Sequence, residues 1–121
     1  MLADSDAMAT IAVKDLETAR KFYEEKIGLQ LADKQPGVLR FRSGRSLIVL
    51  YPSQYAGTNQ ATVLTWAVHD AEPIASEPRS RGVSFEHCDL PGLTRTDDLH
   101  VAGSFKGAWL KDPDGMHILS R

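Results

Sequence analysis

The fold is decided by residues Ala108–Leu119, whose sequence is AWLKDPDGMHIL. Asp112, Pro113 and Gly115 suit the first, second and fourth positions of a type I turn, because Asp caps local N–H groups, Pro fixes φ and Gly tolerates the exit geometry. Apolar residues lie on both sides of this turn. The stretch therefore predicts a β-hairpin, in which one strand enters the turn and another leaves it.

Upstream of the hairpin, the sequence predicts one strand, one helix and three further strands. Thr10–Val13 alternates apolar with small or polar residues, as a half-buried strand does. Asp15 suits a helix N-cap, apolar residues then recur at helical spacing, and Gly28 suits the end of the helix. Three short apolar runs separated by turn residues predict an antiparallel meander over Leu29–Ala32, Gly37–Arg42 and Ser46–Tyr51.

The same order of elements begins again after a polar stretch. Ala61–Val68 predicts a strand, Asp70 a helix N-cap and Gly82 the end of the helix. The N-cap and the glycine are 28 − 15 = 13 positions apart in the first copy and 82 − 70 = 12 in the second. Two βαβββ modules, at about 8–51 and 62–120, are the simplest explanation.

Two features of the second copy depart from the first. Pro78 lacks the N–H of a helical hydrogen bond and clashes with the preceding turn, so we predict a helix that is short, kinked or ends near Ser76 or Glu77. Asp89–Ser104 is polar and contains Pro and Gly. It predicts a long loop, either a lid or binding loop or simply a disordered segment.

Length and composition limit the class of protein. The 121 residues, 42% of them hydrophobic, suit one compact domain, 1–121, that holds both modules. A formal net charge of −2 without a basic run argues against nucleic acid as a partner, and no apolar stretch approaches the roughly 20 residues of a membrane span. Cys88 is the single cysteine and cannot form an internal disulfide, which suits a reducing compartment. We therefore expect a soluble cytoplasmic protein.

The two ends of the repeat carry a family resemblance. The pattern VxDLxxAxxFYxxxIGL at 13–29, followed by AWLxDPDG at 108–115, resembles the vicinal oxygen chelate superfamily, the group of glyoxalase I, bleomycin-resistance proteins and extradiol dioxygenases. The resemblance implies an α+β fold, in which two βαβββ modules form a curled mixed sheet around a cavity. It also implies that the cavity is commonly completed in a homodimer.

The resemblance further implies where a metal ion would bind. In the metal-dependent members, the ligands come from the first and last strands of each module, and these positions fall near Met8, Val49, Val63 and Leu119 of this sequence. None of the four offers a nitrogen or oxygen ligand, and their sequence neighbours are also non-ligands or hydroxyls. We therefore expect no metal and no other cofactor, and none of the usual isomerase, dioxygenase or fosfomycin-transferase chemistry.

Strand alternation separates the predicted cavity face from the face that packs under the helices. The packed set is Ile11, Val13, Ile48, Leu50, Leu64, Trp66 and Val68. The inward residues are apolar with a few hydroxyls, which suits a small-molecule pocket better than a hydrolytic site. The candidates for the cavity and for ligand binding are Met8, Thr10, Val49, Tyr51, Val63, Thr65, Trp109, His117 and Leu119.

Several candidate residues admit a structural interpretation as well. Trp109 either stacks on an aromatic ligand or packs in the core. His117 shares strand parity with Leu119, so it is either a cavity histidine that binds a carboxylate or transfers a proton, or a packed or rim residue.

The other histidines favour structural interpretations. His69 is interpreted as a surface residue before a helix, and His100 as part of a solvated turn beside Asp97 and Asp98. His87, Cys88 and Asp89 form a ligand-like cluster, but adjacent strand residues point to opposite faces and cannot all meet one metal ion.

Three functional hypotheses remain open from the sequence. The first is a metal-free protein of the bleomycin-resistance type that sequesters an unknown small molecule, partly aromatic or amphipathic, in a dimeric cavity. The second is a lyase, isomerase or dioxygenase-like enzyme of the same superfamily, acting on a small carbonyl or aromatic compound with His117 or Tyr51 as acid or base. The third is a scaffold that only mediates association between subunits.

Overall fold

The computed structural model describes residues 1–58, 61–68, 71–87, 92–96, 98–102, 105–114 and 116–120, with the backbone alone for 71–73, 105 and 116–120. Among the described residues, no helix has both the length and the apolar character needed to cross a bilayer. After a short 3₁₀ turn at Leu2–Asp4, the elements are β1 (Ala9–Val13), α1 (Leu16–Lys21), β2 (Gln30–Gln35), β3 (Val38–Ser43), β4 (Ser46–Pro52), β5 (Thr62–Ala67), α2 (Ala71–Ser80), β6 (Phe85–Glu86), β7 (Thr94–Thr96), β8 (Leu99–Ala102), β9 (Phe105–Lys111) and β10 (Met116–Ser120).

The chain divides into two compact units, Met1–Thr58 and Asn59–Arg121. The first unit holds a four-stranded sheet in the order β1-β4-β3-β2, in which β1 and β4 are parallel and the remaining pairs antiparallel. Parallel neighbours need a crossover connection, which begins here with α1. The predicted α+β class and the βαβββ order are confirmed.

The crossover in the first unit begins and ends where the sequence predicts. Oδ1 of Asp15 accepts a hydrogen bond from the backbone N–H of Glu17 at 3.0 Å, as an N-cap does. The helix continues beyond α1 as a π-helical turn at Phe22–Lys26. Gly28 then takes φ 87°, a left-handed conformation that glycine adopts without a steric cost.

The core of the first unit lies on one face of its sheet. Strand alternation buries Ile11 and Val13 of β1 and Ile48 and Leu50 of β4, as predicted. Tyr23 is also buried, with its ring centroid 6.1 Å from that of Phe41 on β3. The helix therefore packs against this face, and the residues of opposite parity form a second face that the core does not cover.

The second unit repeats the first and adds a hairpin. The strand order of its sheet is β5-β10-β9-β8-β7. The short strand β6 pairs with the same edge of β9 as β8 does, but nearer the C-terminal end of β9. The long loop predicted at Asp89–Ser104 is therefore corrected, because its described part contains β7 and β8, paired through Thr94 with Val101 and Thr96 with Leu99. Polarity favoured a loop, but alternating β-branched residues also suit a strand.

The second helix also differs from its prediction. It was expected to be short, kinked or to end near Ser76 or Glu77, and the last of these is wrong, because α2 continues to Ser80 with Pro78 inside it. Proline removes only one hydrogen bond, and near the end of a helix few further turns depend on that bond. Gly82, with φ 89°, then ends the helix, and the N–H of Val83 donates to the carbonyl of Pro78 at 3.0 Å.

The C-terminal hairpin pairs the two strands that the sequence predicts. β9 and β10 are antiparallel neighbours on either side of the turn. Oδ1 of Asp112 accepts a hydrogen bond from the backbone N–H of Asp114 at 2.8 Å, and Asp112 is buried. A hydrogen bond of this kind is the reason that Asp is favourable at the first position of such a turn. Gly115 lies outside the described residues.

Candidate functional site

The uncovered face of the first sheet carries the candidate residues of the first module. Thr10 on β1 pairs with Val49 on β4, which pairs in turn with Arg40 on β3. Tyr51 and Met8, of the same parity, are 39% and 48% exposed. We call this surface, made by Met8, Thr10, Arg40, Val49 and Tyr51, the open face.

The chemistry of the open face is that of a binding surface. It presents apolar side chains, two hydroxyls and one guanidinium, and Nε of Arg40 donates to Oδ1 of Asp33 at 3.1 Å, which neutralises that charge locally. Apolar walls with a few polar groups are typical of small-molecule sites. Tyr51 adds a phenolic hydroxyl to the open face, and this group both donates and accepts hydrogen bonds.

The donor set does not fit the metal ion that the superfamily resemblance implies. Met8 and Val49 lie on the open face, Val63 is half-buried in β5, and none of them offers an oxygen or nitrogen atom. In the described part of the chain, no three His, Cys, Asp or Glu side chains converge on a common point. Leu119, the fourth position, lies where only the backbone is described, but its side chain is a hydrocarbon.

The backbone register of the second sheet differs from the one that simple alternation along β5 and β10 predicts. Val63 and Thr65 were expected to share a face with His117 and Leu119. The register instead pairs His117 with Leu64, because a β-bulge between Met116 and His117 shifts the alignment by one residue. A shift of one residue exchanges the two faces of a strand.

The same shift extends to the end of β10. Leu119 pairs with Trp66 on β5 and with Ala108 on β9, whose side chain is fully buried. Cross-strand partners occupy the same face of a sheet. Only the backbone of β10 is described, so any role of His117 and Leu119 in ligand binding stays a prediction.

Trp109 and His100 pack against each other in the second unit. Trp109 is 8% exposed, and its ring meets that of His100 edge to face, with centroids 4.7 Å apart and planes at 85°. The prediction that His100 lies in a solvated turn is wrong, because β8 carries it into the sheet and buries it completely. These contacts are those of a packed residue, and a role of Trp109 in ligand binding stays a prediction.

A further cluster in the second unit was not recognised from the sequence. Asp98 accepts two hydrogen bonds, from Nε of Arg79 at 2.8 Å and from Nε2 of His87 at 2.9 Å. These three side chains line an open pocket of about 420 Å³, and an adjoining pocket of about 350 Å³ adds Arg95. We call this combined cavity, with its four charged or titratable residues, the Asp98 pocket.

The electrostatics of the Asp98 pocket favour an ionised carboxylate. Burial alone raises the pKa of Asp98, but the hydrogen bond from His87 and the positive charge of Arg79 outweigh it and hold the pKa below its usual value. An ionised carboxylate only accepts hydrogen bonds, so Nε2 of His87 carries a proton. The guanidinium carbon of Arg79 also lies 5.6 Å from the ring centroid of Phe85, which fixes its orientation further.

The signal for this cluster was weak in the sequence, because its members come from three separate elements. Arg79 ends α2, His87 follows β6, and Asp98 lies in the turn between β7 and β8. His87 was weighed with Cys88 and Asp89, which lie outside the described residues, as do His69 and Asp97. The one available signal was the concentration of charged residues in a segment expected to be a loop.

The paired βαβββ architecture defines a class of proteins in which two similar modules each supply a mixed sheet. The chain matches the family model described as "Glyoxalase/Bleomycin resistance protein/Dioxygenase superfamily" over residues 7–118. It belongs to this superfamily. No curated protein sequence gives a significant match.

Three solved structures illustrate the breadth of proteins with this fold. A bleomycin-binding protein complexed with bleomycin has a TM-score of 0.73 at 15% identity, covering 97% of this chain and 98% of its own. Lactoylglutathione lyase from Agrobacterium tumefaciens has a TM-score of 0.69 at 18% identity, and the match covers 96% of this chain and 92% of the lyase. A fosfomycin resistance protein from Mesorhizobium loti has a TM-score of 0.68 at 13% identity, and the match covers 97% of this chain and 91% of that protein. At these identities the similarity establishes the fold and does not select an activity.

Proposed function

We propose that this protein is a metal-free small-molecule binding protein of the bleomycin-resistance type, which sequesters a partly aromatic or amphipathic molecule on the open face. The supporting observation is the chemistry of the open face, where Met8 and Val49 replace metal ligands and leave an apolar surface with hydroxyls from Thr10 and Tyr51. A hydrocarbon surface binds apolar ligand area through the hydrophobic effect. The structural similarity to a bleomycin-binding protein is consistent with this use of the fold.

The first test measures the metal content of the protein. The chain should be purified without chelator and analysed for zinc, nickel, manganese and iron. We expect far less than one metal ion per chain, because the four superfamily positions offer no suitable donors. A content close to one ion per chain would contradict the proposal directly.

The second test locates the ligand. A thermal-shift screen with bleomycin, other aromatic antibiotics and amphipathic metabolites should identify compounds that raise the melting temperature, since a ligand that binds the native state stabilises it by mass action. Val49→Glu introduces a charge at the centre of the open face and should abolish the ligand-induced shift. Ser46→Glu adds the same charge at an exposed position of the same strand and should leave it unchanged. Equal loss in both variants would place the ligand elsewhere.

The enzymatic alternative has one described residue in its favour. Tyr51 is 39% exposed on the open face and could serve as an acid or base toward a small carbonyl or aromatic compound. Turnover of such a compound by the metal-free protein, lost in Tyr51→Phe, would favour the alternative. Binding without turnover would favour sequestration.

We further propose a cytoplasmic homodimer. The half-exposed apolar residues of the open face support association, because a second copy that closes over the bound molecule would remove further apolar area from water. Light scattering coupled to size exclusion tests this, and a monomeric mass at all accessible concentrations would refute it. The lone Cys88 supports a reducing compartment, which fractionation of the host cell tests.

A further inference from the structure

The Asp98 pocket lies in the second unit and is built from elements that do not contribute to the open face. Arg79 comes from the end of α2, His87 from the segment after β6, and Arg95 and Asp98 from the hairpin of β7 and β8. The pocket wall is completed by Val83, Ser84 and Phe85.

The described side chains that line the pocket sum to a positive formal charge. Two arginines contribute +2 and ionised Asp98 contributes −1, so the formal sum is +1 with His87 neutral and +2 with His87 protonated. A concave surface with an excess of one sign concentrates ligands of the opposite sign. A negatively charged group is therefore the ligand chemistry that the pocket favours.

The pocket is also preorganised for such a group. The carboxylate of Asp98 holds Arg79 through Nε, and Phe85 packs against the guanidinium, so little side-chain entropy remains to be lost when a ligand binds. The planar fork of a guanidinium matches the geometry of carboxylate and phosphate oxygens. The same carboxylate positions the ring of His87 at the rim of the pocket.

We propose that the Asp98 pocket binds a small oxyanion, the carboxylate or phosphate group of a metabolite, through Arg79, Arg95 and His87. Asp98 acts as a positioning residue that orients Arg79 and His87. The buried ring of Phe85 and the side chain of Val83 provide an apolar wall for the short carbon body of such a ligand. This inference does not rest on ligand binding at the open face.

The experiment is a titration of the ¹⁵N-labelled full chain followed by heteronuclear NMR. One sample is titrated with inorganic phosphate and a second with acetate, and these are the two oxyanion arms. A third sample is titrated with sodium chloride at the same ionic strength as the control. We expect saturable shifts at Gly82–His87 and around Arg95 in at least one of the first two arms, with half-saturation below about 10 mM, and no saturable shift with chloride. The arm that saturates at lower concentration identifies the preferred oxyanion.

A matched pair of variants separates a specific site from general electrostatics. Arg95→Gln removes a pocket arginine and should weaken binding about tenfold, because a charge-assisted hydrogen bond is lost. Arg81→Gln removes one positive charge from the end of α2, where Arg81 pairs with Glu77 at 3.0 Å outside the pocket lining, and should change binding less than about twofold. Equal weakening by the two variants, or an absence of saturation in both oxyanion arms, would overturn the proposal.

Discussion

Asp98→Asn should destabilise the second unit at neutral pH and have less effect in acid. In the folded protein the pKa of Asp98 is lower than its usual value, because His87 and Arg79 stabilise the charged form more than burial penalises it. A carboxyl whose pKa is depressed by folding contributes stability above its unfolded pKa of about 4, and the contribution is lost as the pH falls through the folded pKa. The side chain of Asn has nearly the shape of a protonated Asp, so the difference in stability between the two proteins should shrink as the pH falls and the carboxylate becomes protonated.

The expected magnitude follows from the exposure of the partners. Hydrogen bonds to charged groups contribute about 1.5–3 kcal/mol each when they are buried. The side chain of Asp98 is 21% exposed, but those of Arg79 and His87 are 37% and 49% exposed, so solvent screening reduces each bond to about 0.5–1 kcal/mol. Asn keeps one acceptor oxygen but replaces the other with a donor and removes the negative charge, so one bond is lost and the other is weakened. The substitution should cost about 1–2 kcal/mol at pH 7, or roughly 3–8 °C in melting temperature for a domain of this size.

The assay is urea unfolding followed by circular dichroism between pH 2 and pH 7. Asp33→Asn is the matched control, because Asp33 accepts a single hydrogen bond from Arg40 and is 46% exposed, so its loss should cost less than about 1 kcal/mol. If Asp98→Asn costs no more than the control at pH 7, or if its cost is the same at pH 2 and pH 7, the assigned role of the Asp98 carboxylate is wrong.

Other substitutions test the packing and the backbone. Ile48→Glu should abolish cooperative unfolding, whereas Val49→Glu should lower the free energy of unfolding by less than about 1 kcal/mol. The reason is that these adjacent residues of β4 lie on opposite faces, Ile48 on the buried face and Val49 on the open face, and chemical denaturation distinguishes the two variants. Gly82→Ala should lower the free energy of unfolding by about 1 kcal/mol, since a Cβ is unfavourable at φ 89°, and an unchanged melting temperature would contradict this. Trp109→Ala should cost about 3–5 kcal/mol through the cavity that it leaves, measured by the same denaturation; a cost below 1 kcal/mol would show that Trp109 is not core packing.

The first unit could be predicted from the sequence because its signals are local. Asp15 and Gly28 mark the helix ends through the backbone conformations and bonds that these residues favour. The alternation along β1 and β4 correctly separates the buried face from the open face, since neither strand pairs through a bulge with the other. Local chemistry and long-range packing agree in this unit, so a single sequence was sufficient.

The second unit could not be predicted as well because its main features depend on pairing between distant residues. The bulge between Met116 and His117 is invisible in the alternation of β10, yet it determines which residue of β5 pairs with His117. The polarity of β7 and β8 concealed two strands that are stabilised by pairing with each other and with β9. Arg79 and Asp98 are 19 positions apart, and their hydrogen bond exists only after this hairpin forms.

The Asp98 pocket arises where the two copies of the repeat differ. In the first unit, β2 leads into β3 through a tight turn at Gly37 and the two strands pair directly. In the second, the counterpart β6 is separated from β9 by an inserted hairpin, and this hairpin supplies both Asp98 and Arg95. A duplicated module accommodates such an insertion at its sheet edge without altering the paired strands of the core. The residues common to both copies thus specify the fold, and the residues of the insertion supply Asp98 and Arg95 to the Asp98 pocket.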